Sequence, residues 1–374
     1  MRFLHTADLH IGKRLFETSL AEDQREILRQ IAEIAKEEQC DAVLIAGDIY
    51  DKPTPSAEAM SIFDTFVSAL VLGGVSVYAI SGNHDSGERV SYLSGLIEEK
   101  GVVIQGKYEG ELCRRTLRDE YGELDLYLLP FLKPLTVGGF FPEAEIRTYE
   151  EALQTVLQEV DRDDGRRKVL VSHQFVTGAD TCDSEEFAIG GLDCISEKVF
   201  EGFDYVALGH IHGPQKIQRD TLRYSGTPLK YSFSEANHRK SVTIVDVKEA
   251  GEVSCRQISL KPHHDMRVVK GLVADLMEQP YTEDYVQIIV TDEEVAPDTR
   301  LRLAPGFPNM LKFSVENSRT ALEWEASGDR GEMEEKSPLE MMEDFYRSQN
   351  NGVSMTEEKR ELLVKVLESM EGEG

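Results

Sequence analysis

The feature that most constrains this chain is a set of short apolar runs, each cut off abruptly by Asp, His, Asn and Gly. Phe3 to Ala7 ends at Asp8-Leu9-His10. Ala42-Val43-Leu44-Ile45-Ala46 ends at Gly47-Asp48-Ile49-Tyr50-Asp51, and Val75 to Ile80 ends at Ser81-Gly82-Asn83-His84-Asp85. Further on, Lys168 to Ser172 runs into His173, and Tyr205-Val206-Ala207-Leu208 into Gly209-His210-Ile211-His212. Short apolar runs between polar stops read as buried strands. Between them lie stretches with helical spacing: Leu20 to Glu38, with Ile27, Leu28, Ile31 and Ile34 on one face, and Ala57 to Leu72. Strand, helix, strand in this rhythm predicts an α/β domain. From about Leu222 to Leu260 strand follows strand, Lys240 to Val247 being the clearest.

At 374 residues the chain is long enough for two or three domains. Pro262-His263-His264-Asp265 reads as a boundary, so residues 1–262 form the main domain. A helix over Val268 to Met277 and strands at Tyr285 to Val290 and Leu311 to Val315 predict a small α+β cap domain over 263–322. Residues 323–336 are acidic with little apolar content and read as a linker. Residues 337–374 read as a helix-loop-helix. Ser337-Pro338-Leu339-Glu340 is a capping box with Pro at the first helical position, Asn350-Asn351-Gly352 is a stop, and Thr356 is a second cap. Its apolar stripes are Leu339, Met342, Phe345 and Tyr346, then Leu362, Leu363, Val366 and Leu367. A pair this short cannot bury both stripes alone, so it packs on its own body or on another chain.

Composition narrows the function classes. Apolar residues make up 40%, enough for a sizeable core, and no apolar run approaches the ~18 residues that span a bilayer. Glu-rich polar faces on the tail helices are repelled by anionic lipid, so no membrane partner is expected. A carboxylate at Asp8 precedes any signal-type apolar region, and a cytosolic protein is expected. The five cysteines include no C-x-x-C pair and read as reduced thiols. The net charge of −28 argues against tight, independent binding to nucleic acid. It does not argue against phosphoester chemistry, because bound metal ions bring local positive charge. With no G-x-x-x-x-G-K-[ST] loop, the chain is not expected to hydrolyse ATP.

Ligands in open α/β sheets gather at the carboxyl ends of strands, so five separated motifs can meet at one place. Each motif alone has an ordinary reading: a solvated loop for Asp8-Leu9-His10, a helix N-cap for Asp48, a core histidine for His173. His210 and His212 are more telling, because alternate residues of an extended segment point the same way. Asp, His and Asn offer hard oxygen and imidazole nitrogen without thiolate, which suits manganese, magnesium, iron or zinc in a catalytic site. A bridging carboxylate holds two ions ~3.5–4 Å apart, where they activate water and clamp a phosphoryl displacement.

The ordered pattern D-x-H, G-D-x-x-D, G-N-H-[DE], H and G-H-x-H resembles the calcineurin-like metallophosphoesterase family throughout. The resemblance implies a sandwich of two β-sheets flanked by helices, with a small α+β cap and a C-terminal helical hairpin. It implies that Asp8, His10, Asp48 and His212 hold one ion, and Asp48, Asn83, His173 and His210 the second. His84 would protonate the leaving oxygen. Asp51 would orient that histidine, although an ordinary carboxylate at a helix start is the competing reading. The segments from Gly82 to Arg89, from Asp204 to His212 and from Tyr224 to Glu235 resemble a bacterial branch of this family: DNA nuclease subunits that work with an ATPase partner. Thr227 stands where that branch favours serine.

By that resemblance the chain would bind two Mn2+ ions, Mg2+ or another divalent metal being the alternatives. It would act as a 3′-to-5′ exonuclease on duplex ends and an endonuclease on single strands and hairpins. It would also pair with a second copy of itself and use the terminal helices to bind the ATPase. Arg89 would contact backbone phosphate, or be a plain helix-surface arginine. A nucleotide or cyclic-nucleotide phosphodiesterase of the same family is the alternative enzyme, and an inactive scaffold of the same fold the alternative from another class. His5 is expected to pack beside the site without chemistry, and Trp324 has no reading.

Overall fold

The computed structural model describes residues 1–162, 164–185, 194–249 and 251–318, together with 346, 355, 356, 359 and 360. The chain opens with β1 (Arg2–Thr6), a small hairpin of β2 (Arg14–Leu15) and β3 (Thr18–Ser19), and α1 (Ala21–Glu37). It continues through β4 (Ala42–Ala46), α2 (Ala57–Leu72), β5 (Ser76–Ile80), the short α3 (Gly87–Val90) and α4 (Ser94–Ile97), and β6 (Val102–Gln105). A second run comprises β7 (Cys113–Asp119), β8 (Gly122–Leu129), α5 (Pro134–Phe140), α6 (Tyr149–Leu157), β9 (Arg167–His173), β10 (Tyr205–Gly209), β11 (Gln215–Ile217) and β12 (Arg219–Tyr224). Then β13 (Ser241–Val247) and β14 (Val253–Ser259) return to the first sheet.

Two six-stranded sheets result, ordered β14-β13-β1-β4-β5-β6 and β11-β12-β10-β9-β8-β7. In the first, β1, β4, β5 and β6 are parallel; in the second, β8, β9, β10 and β12 are. The alternation of side chains explains the stacking. Ala42, Leu44 and Ala46 of β4 join Leu126, Leu128, Val169, Val171, Tyr205 and Ala207 in a core between the sheets. Val43 and Ile45, the intervening residues, face α1 and α2 with Ile27, Leu28, Ile31, Phe63 and Phe66. Leu170, Val206 and Leu208 face α6 on the far side with Leu153 and Val156. Strands covered on both faces are apolar at nearly every position, which is why they read as continuous runs. The helices hold their ends by local chemistry: the Ser56 side chain caps α2 by accepting from Ala59 N–H, and Thr148 and Glu151 form a capping box on α6.

The cap is a three-stranded parallel sheet, β15 (Met266–Gly271), β16 (Tyr285–Val290) and β17 (Met310–Val315), with α7 (Val273–Met277) and α8 (Thr299–Leu303). Leu276, Val286, Ile288, Val290, Leu303 and Phe307 form its own core. It is tied to α1 by Asp23, whose carboxylate accepts from His264 N–H (3.1 Å) and from the Tyr285 hydroxyl (2.7 Å), with His264 Nδ1 2.9 Å away. One expectation is corrected here. Val268 to Met277 is not one helix: its first half is β15, paired with β16 from Met266 to Gly271, and only Val273–Met277 is helical. The adjacent β-branched Val268 and Val269 favour a strand, and the ladder to β16 overrides a helical period too short to be decisive.

Of the tail residues, Leu339, Met342, Phe345, Leu362, Leu363, Val366 and Leu367 lie outside the described residues, as do the acidic segment 323–336 and Trp324. Tyr346 is described, and its hydroxyl accepts from Lys359 Nζ (2.7 Å). Among the described residues no helix is long and apolar enough to cross a membrane.

Candidate metal centre

The five motifs meet at one end of the sandwich. β1, β4 and β5 deliver Asp8 and His10, Asp48, and Asn83 and His84 from one sheet, while β9 and β10 deliver His173, His210 and His212 from the other. The turns leaving these strands are backbone-strained. Asp8 (φ 51°), His10 (φ 42°), Asp48 (φ 47°) and His210 (φ 104°) all adopt positive φ. That region is uncommon for residues other than glycine, and such strain concentrates at functional sites. Two glycines permit the close approach. A Cβ on Gly47 would overlap the His173 ring, and one on Gly82 would overlap the Asp48 carboxylate.

Asp48 is the hub. Its Oδ1 accepts from His84 N–H (2.9 Å), which turns Oδ2 inward. Oδ2 then lies 3.4 Å from His173 Nε2, 3.7 Å from His10 Nε2 and 4.0 Å from His84 Nε2. On one side of it His10 Nε2 and His212 Nε2 face each other at 3.2 Å, with Asp8 close by. On the other side Asn83 Oδ1 lies 2.9 Å from His173 Nε2 and 3.0 Å from His210 Nδ1. The candidate metal ligands named from the sequence are therefore gathered in two groups around Asp48. Asp8 is fixed by accepting from His210 N–H (2.9 Å) through Oδ1.

The donor set fits divalent cations. Asp8 and Asp48 are almost completely buried, and among the described residues Asp8 Oδ2 has no hydrogen-bond partner, a costly state for a carboxylate oxygen unless a cation meets it. His173 Nδ1 lies 2.8 Å from Ala46 O; donating there turns Nε2 toward Asn83 Oδ1 and Asp48 Oδ2. Burial and the neighbouring charges shift the cluster's pKa values in both directions. Burial pushes Asp8 up to about 7, against the opposing attraction of His173 and His212. Burial would lower His173, but Asp48 overrides it and raises the imidazole to about 9. His10 is held well below its ordinary value, chiefly by burial, and His210 falls to about 3 for the same reason.

Behind His212 lies a relay that sequence reasoning missed. His212 Nδ1 is 2.7 Å from Ser184 Oγ, and that hydroxyl donates to Glu235 Oε1 (2.6 Å). Glu235 is fully buried and ion-paired with the buried Lys240, whose Nζ also donates to His212 O (2.9 Å) and Thr227 Oγ1 (2.6 Å). The chain of donors fixes the Nδ1–H tautomer of His212 and presents Nε2 to the cluster. Thr227 joins it through a hydroxyl that serine also carries. Glu235 and Thr227 lay in a segment that already resembled the family; Ser184 carried no signal.

Asp85 was also missed as a structural element: its carboxylate accepts from Ile49, Tyr50 and Gly82 N–H, clamping two motif loops together. His84 is more exposed than His10 or His173, and its ring stands edge-on to His10 at 4.9 Å. Asp51 pairs with Lys13 Nζ (2.8 Å) and lies 4.0 Å from His10 Nδ1. Arg89 donates to Pro53 O (2.7 Å) and Thr54 Oγ1 (2.5 Å), bracing the loop after Asp51. His5 is buried between the sheets, 2.8 Å from the Tyr205 hydroxyl.

A two-sheet sandwich with this Asp, His and Asn cluster at its strand ends is the framework of a metal-dependent phosphoesterase. Comparison with known proteins agrees. The calcineurin-like phosphoesterase family matches residues 1–214, and the family described as type 5 capsule protein repressor C-terminal domain matches residues 262–350. The D subunit of nuclease SbcCD from Staphylococcus epidermidis is 30% identical over 358 residues, covering 93% of each chain. Among solved structures, a dimetal phosphatase from Danio rerio is 14% identical with a TM-score of 0.39, covering 70% of this chain and 99% of its own. The protein TT1561 of Thermus thermophilus is 12% identical with a TM-score of 0.40, covering 68% and 98%. The chain belongs to the SbcD family of calcineurin-like phosphoesterases, metal-dependent hydrolases.

Proposed function

We propose that this chain is the nuclease subunit of a complex with an SbcC-type ATPase. It cleaves DNA with two Mn2+ ions during double-strand break processing, replication and recombination in the bacterial cytoplasm. The observation that carries the reading is the placement of Asp48 Oδ2 between two groups of ligands, within 3.7 Å of His10 and 3.4 Å of His173. Likeness to a named nuclease subunit along 93% of the chain supports DNA as the substrate. Asp8, His10, Asp48 and His212 would hold one ion and Asp48, Asn83, His173 and His210 the other; bound there, divalent ions would supply an activated water and positive charge for the phosphate.

The chain's own residues do the rest. Ala46 O and the Ser184–Glu235 pair fix the tautomers of His173 and His212. His84, the most exposed histidine of the cluster and anchored through its N–H to Asp48, faces the phosphate and protonates the leaving 3′ or 5′ oxygen. Asp51, held by Lys13 and 4.0 Å from His10 Nδ1, orients the His10–His84 ring pair. Arg89 sets the loop behind Asp51 and stands on the side where backbone phosphate would lie. Activity runs 3′ to 5′ on duplex ends and endonucleolytically on single strands and hairpins.

Residues 263–322 form the DNA-side cap of the 1–262 nuclease domain, and residues 337–374, beyond the 323–336 linker, bind the ATPase. The exposed Tyr92 (72%) and Leu96 (73%) offer apolar surface to a second copy of the chain. Purified chain assayed with manganese on labelled duplex and hairpin DNA beside a small chromogenic diester tests the reading. Cutting of DNA that EDTA abolishes supports it. Turnover of the diester alone would make the chain a small-molecule phosphodiesterase, and failure to retain metal would make it a scaffold.

A further inference from the structure

We propose that a cleft beside the metal centre binds an unpaired nucleobase of the substrate strand, stacked on Phe16. The proposal deepens the nuclease reading and rests on it. Phe16 is at the tip of the β2–β3 hairpin and is 58% exposed. It and Glu17 form a two-residue turn with φ of 45° and 72°. Turns with positive φ at both positions favour Asn-Gly, and a bulky residue there is a genuine outlier. The chain therefore bears two local costs to hold this ring out: backbone strain and exposed apolar surface. Strain of this kind clusters at ligand clamps.

The surroundings suit a nucleotide. Phe16 lies 6.1 Å from the Phe233 ring, tilted by 33°. Together with Arg14, Tyr231, Gln287 and Lys312 they line a cavity of about 400 Å³, within the range of small-ligand sites. Tyr231 is the shared wall with the catalytic centre, its ring 5.6 Å from His10 and 6.3 Å from His212. A base seated in the cavity is thus one side chain away from the ligands that would receive its neighbouring phosphate. Charge points the same way. In a chain of net charge −28, Arg14 and Lys312 flank the cavity and make no ion pair among the described residues; Asp183 is the acid on its wall. Aromatic rings interleaved with cations are how proteins hold single strands without reading sequence.

The test is steady-state kinetics of the full chain with manganese on a single-stranded oligonucleotide and on bis(p-nitrophenyl) phosphate. Phe16→Ala and Phe16→Asn should raise the oligonucleotide KM roughly tenfold to a hundredfold and leave the small diester untouched. Phe16→Trp should stay near wild type. Phe16→Asn, which relieves the positive φ, should melt no lower than wild type, which separates loss of stacking from loss of fold. Unchanged oligonucleotide KM in both variants, or equal loss on both substrates, would overturn the proposal. A wild-type chain that turns over the diester but no DNA would reject the nuclease reading itself, and base binding with it.

Discussion

Replacing Glu235 by Gln should damage stability and metal binding by separable amounts. The carboxylate is fully buried, pairs with the buried Lys240, and accepts from Ser184 Oγ (2.6 Å) and Tyr231 N–H (3.1 Å). Removing its charge strands the Lys240 ammonium, and breaking a buried pair from one side costs about 3–5 kcal/mol. At roughly 2–4 °C per kcal/mol for a domain of this size, the melting temperature should fall by roughly 6–20 °C. Losing the charge that orients Ser184 and His212 should also weaken Mn2+ binding about 10- to 100-fold, the usual effect of disturbing a group behind a ligand. The double variant Glu235→Met, Lys240→Met distinguishes the two effects. An apolar pair of similar volume is often neutral in place of a buried ion pair, so most of the stability should return. The metal affinity should not, because Ser184 then has no carboxylate to fix which way its hydroxyl points toward His212. Thermal melts of the metal-free chain and calorimetric titration with Mn2+ read each quantity. Wild-type affinity for both ions in Glu235→Gln would refute the reasoning.

Three other outcomes are expected. His84→Ala should take up metal normally while losing about 100-fold or more in rate, since a general acid contributes 10²–10⁴; metal analysis beside kcat checks it, and an apo variant would make His84 a ligand. Asp48→Ala should lose both ions together, measured by metal content after gel filtration, because its Oδ2 lies against both groups. Asp119→Asn should lose about 3 kcal/mol near neutral pH, seen as a lower urea midpoint, because Arg167 is buried against that carboxylate (2.6 Å). Burial raises the Asp119 pKa, but the hydrogen bonds it accepts, with Arg167's foremost, together outweigh it and the net shift is downward. A depressed folded pKa contributes stability above the unfolded value of about 3.9 that is lost as pH falls through the folded one, so wild type and variant should converge in strong acid.

The gathering of the candidate metal ligands was legible because these residues sit where strands stop. A covered strand is apolar throughout, so the first Asp, His or Asn after it is conspicuous, and Asp8, Asp48, Asn83, His173, His210 and His212 stand within three residues of such ends. Groups that act through others were not legible. Ser184 comes from a loop without periodicity, and Glu235 and Lys240 lie far along the chain from the histidine they orient. Strain was invisible as well: nothing in the letters of Asp8 or His10 announces a positive φ. Arg89 read as a phosphate contact or a helix-surface arginine, and nothing in the letters showed that its guanidinium is tied to Pro53 and Thr54. The edge strand Cys113–Asp119 escaped notice because its charged residues mask the alternation, as edge strands often do. Val268 to Met277 misled for the opposite reason, a short apolar pattern compatible with two periods.

The most direct test of two ions sharing Asp48 is titration of the metal-free chain with Mn2+, followed by calorimetry and electron paramagnetic resonance. The proposed site predicts two ions per chain, close enough, ~3.5–4 Å, to give an exchange-coupled signal. One ion at saturation, or two with the spectrum of isolated Mn2+, would contradict it.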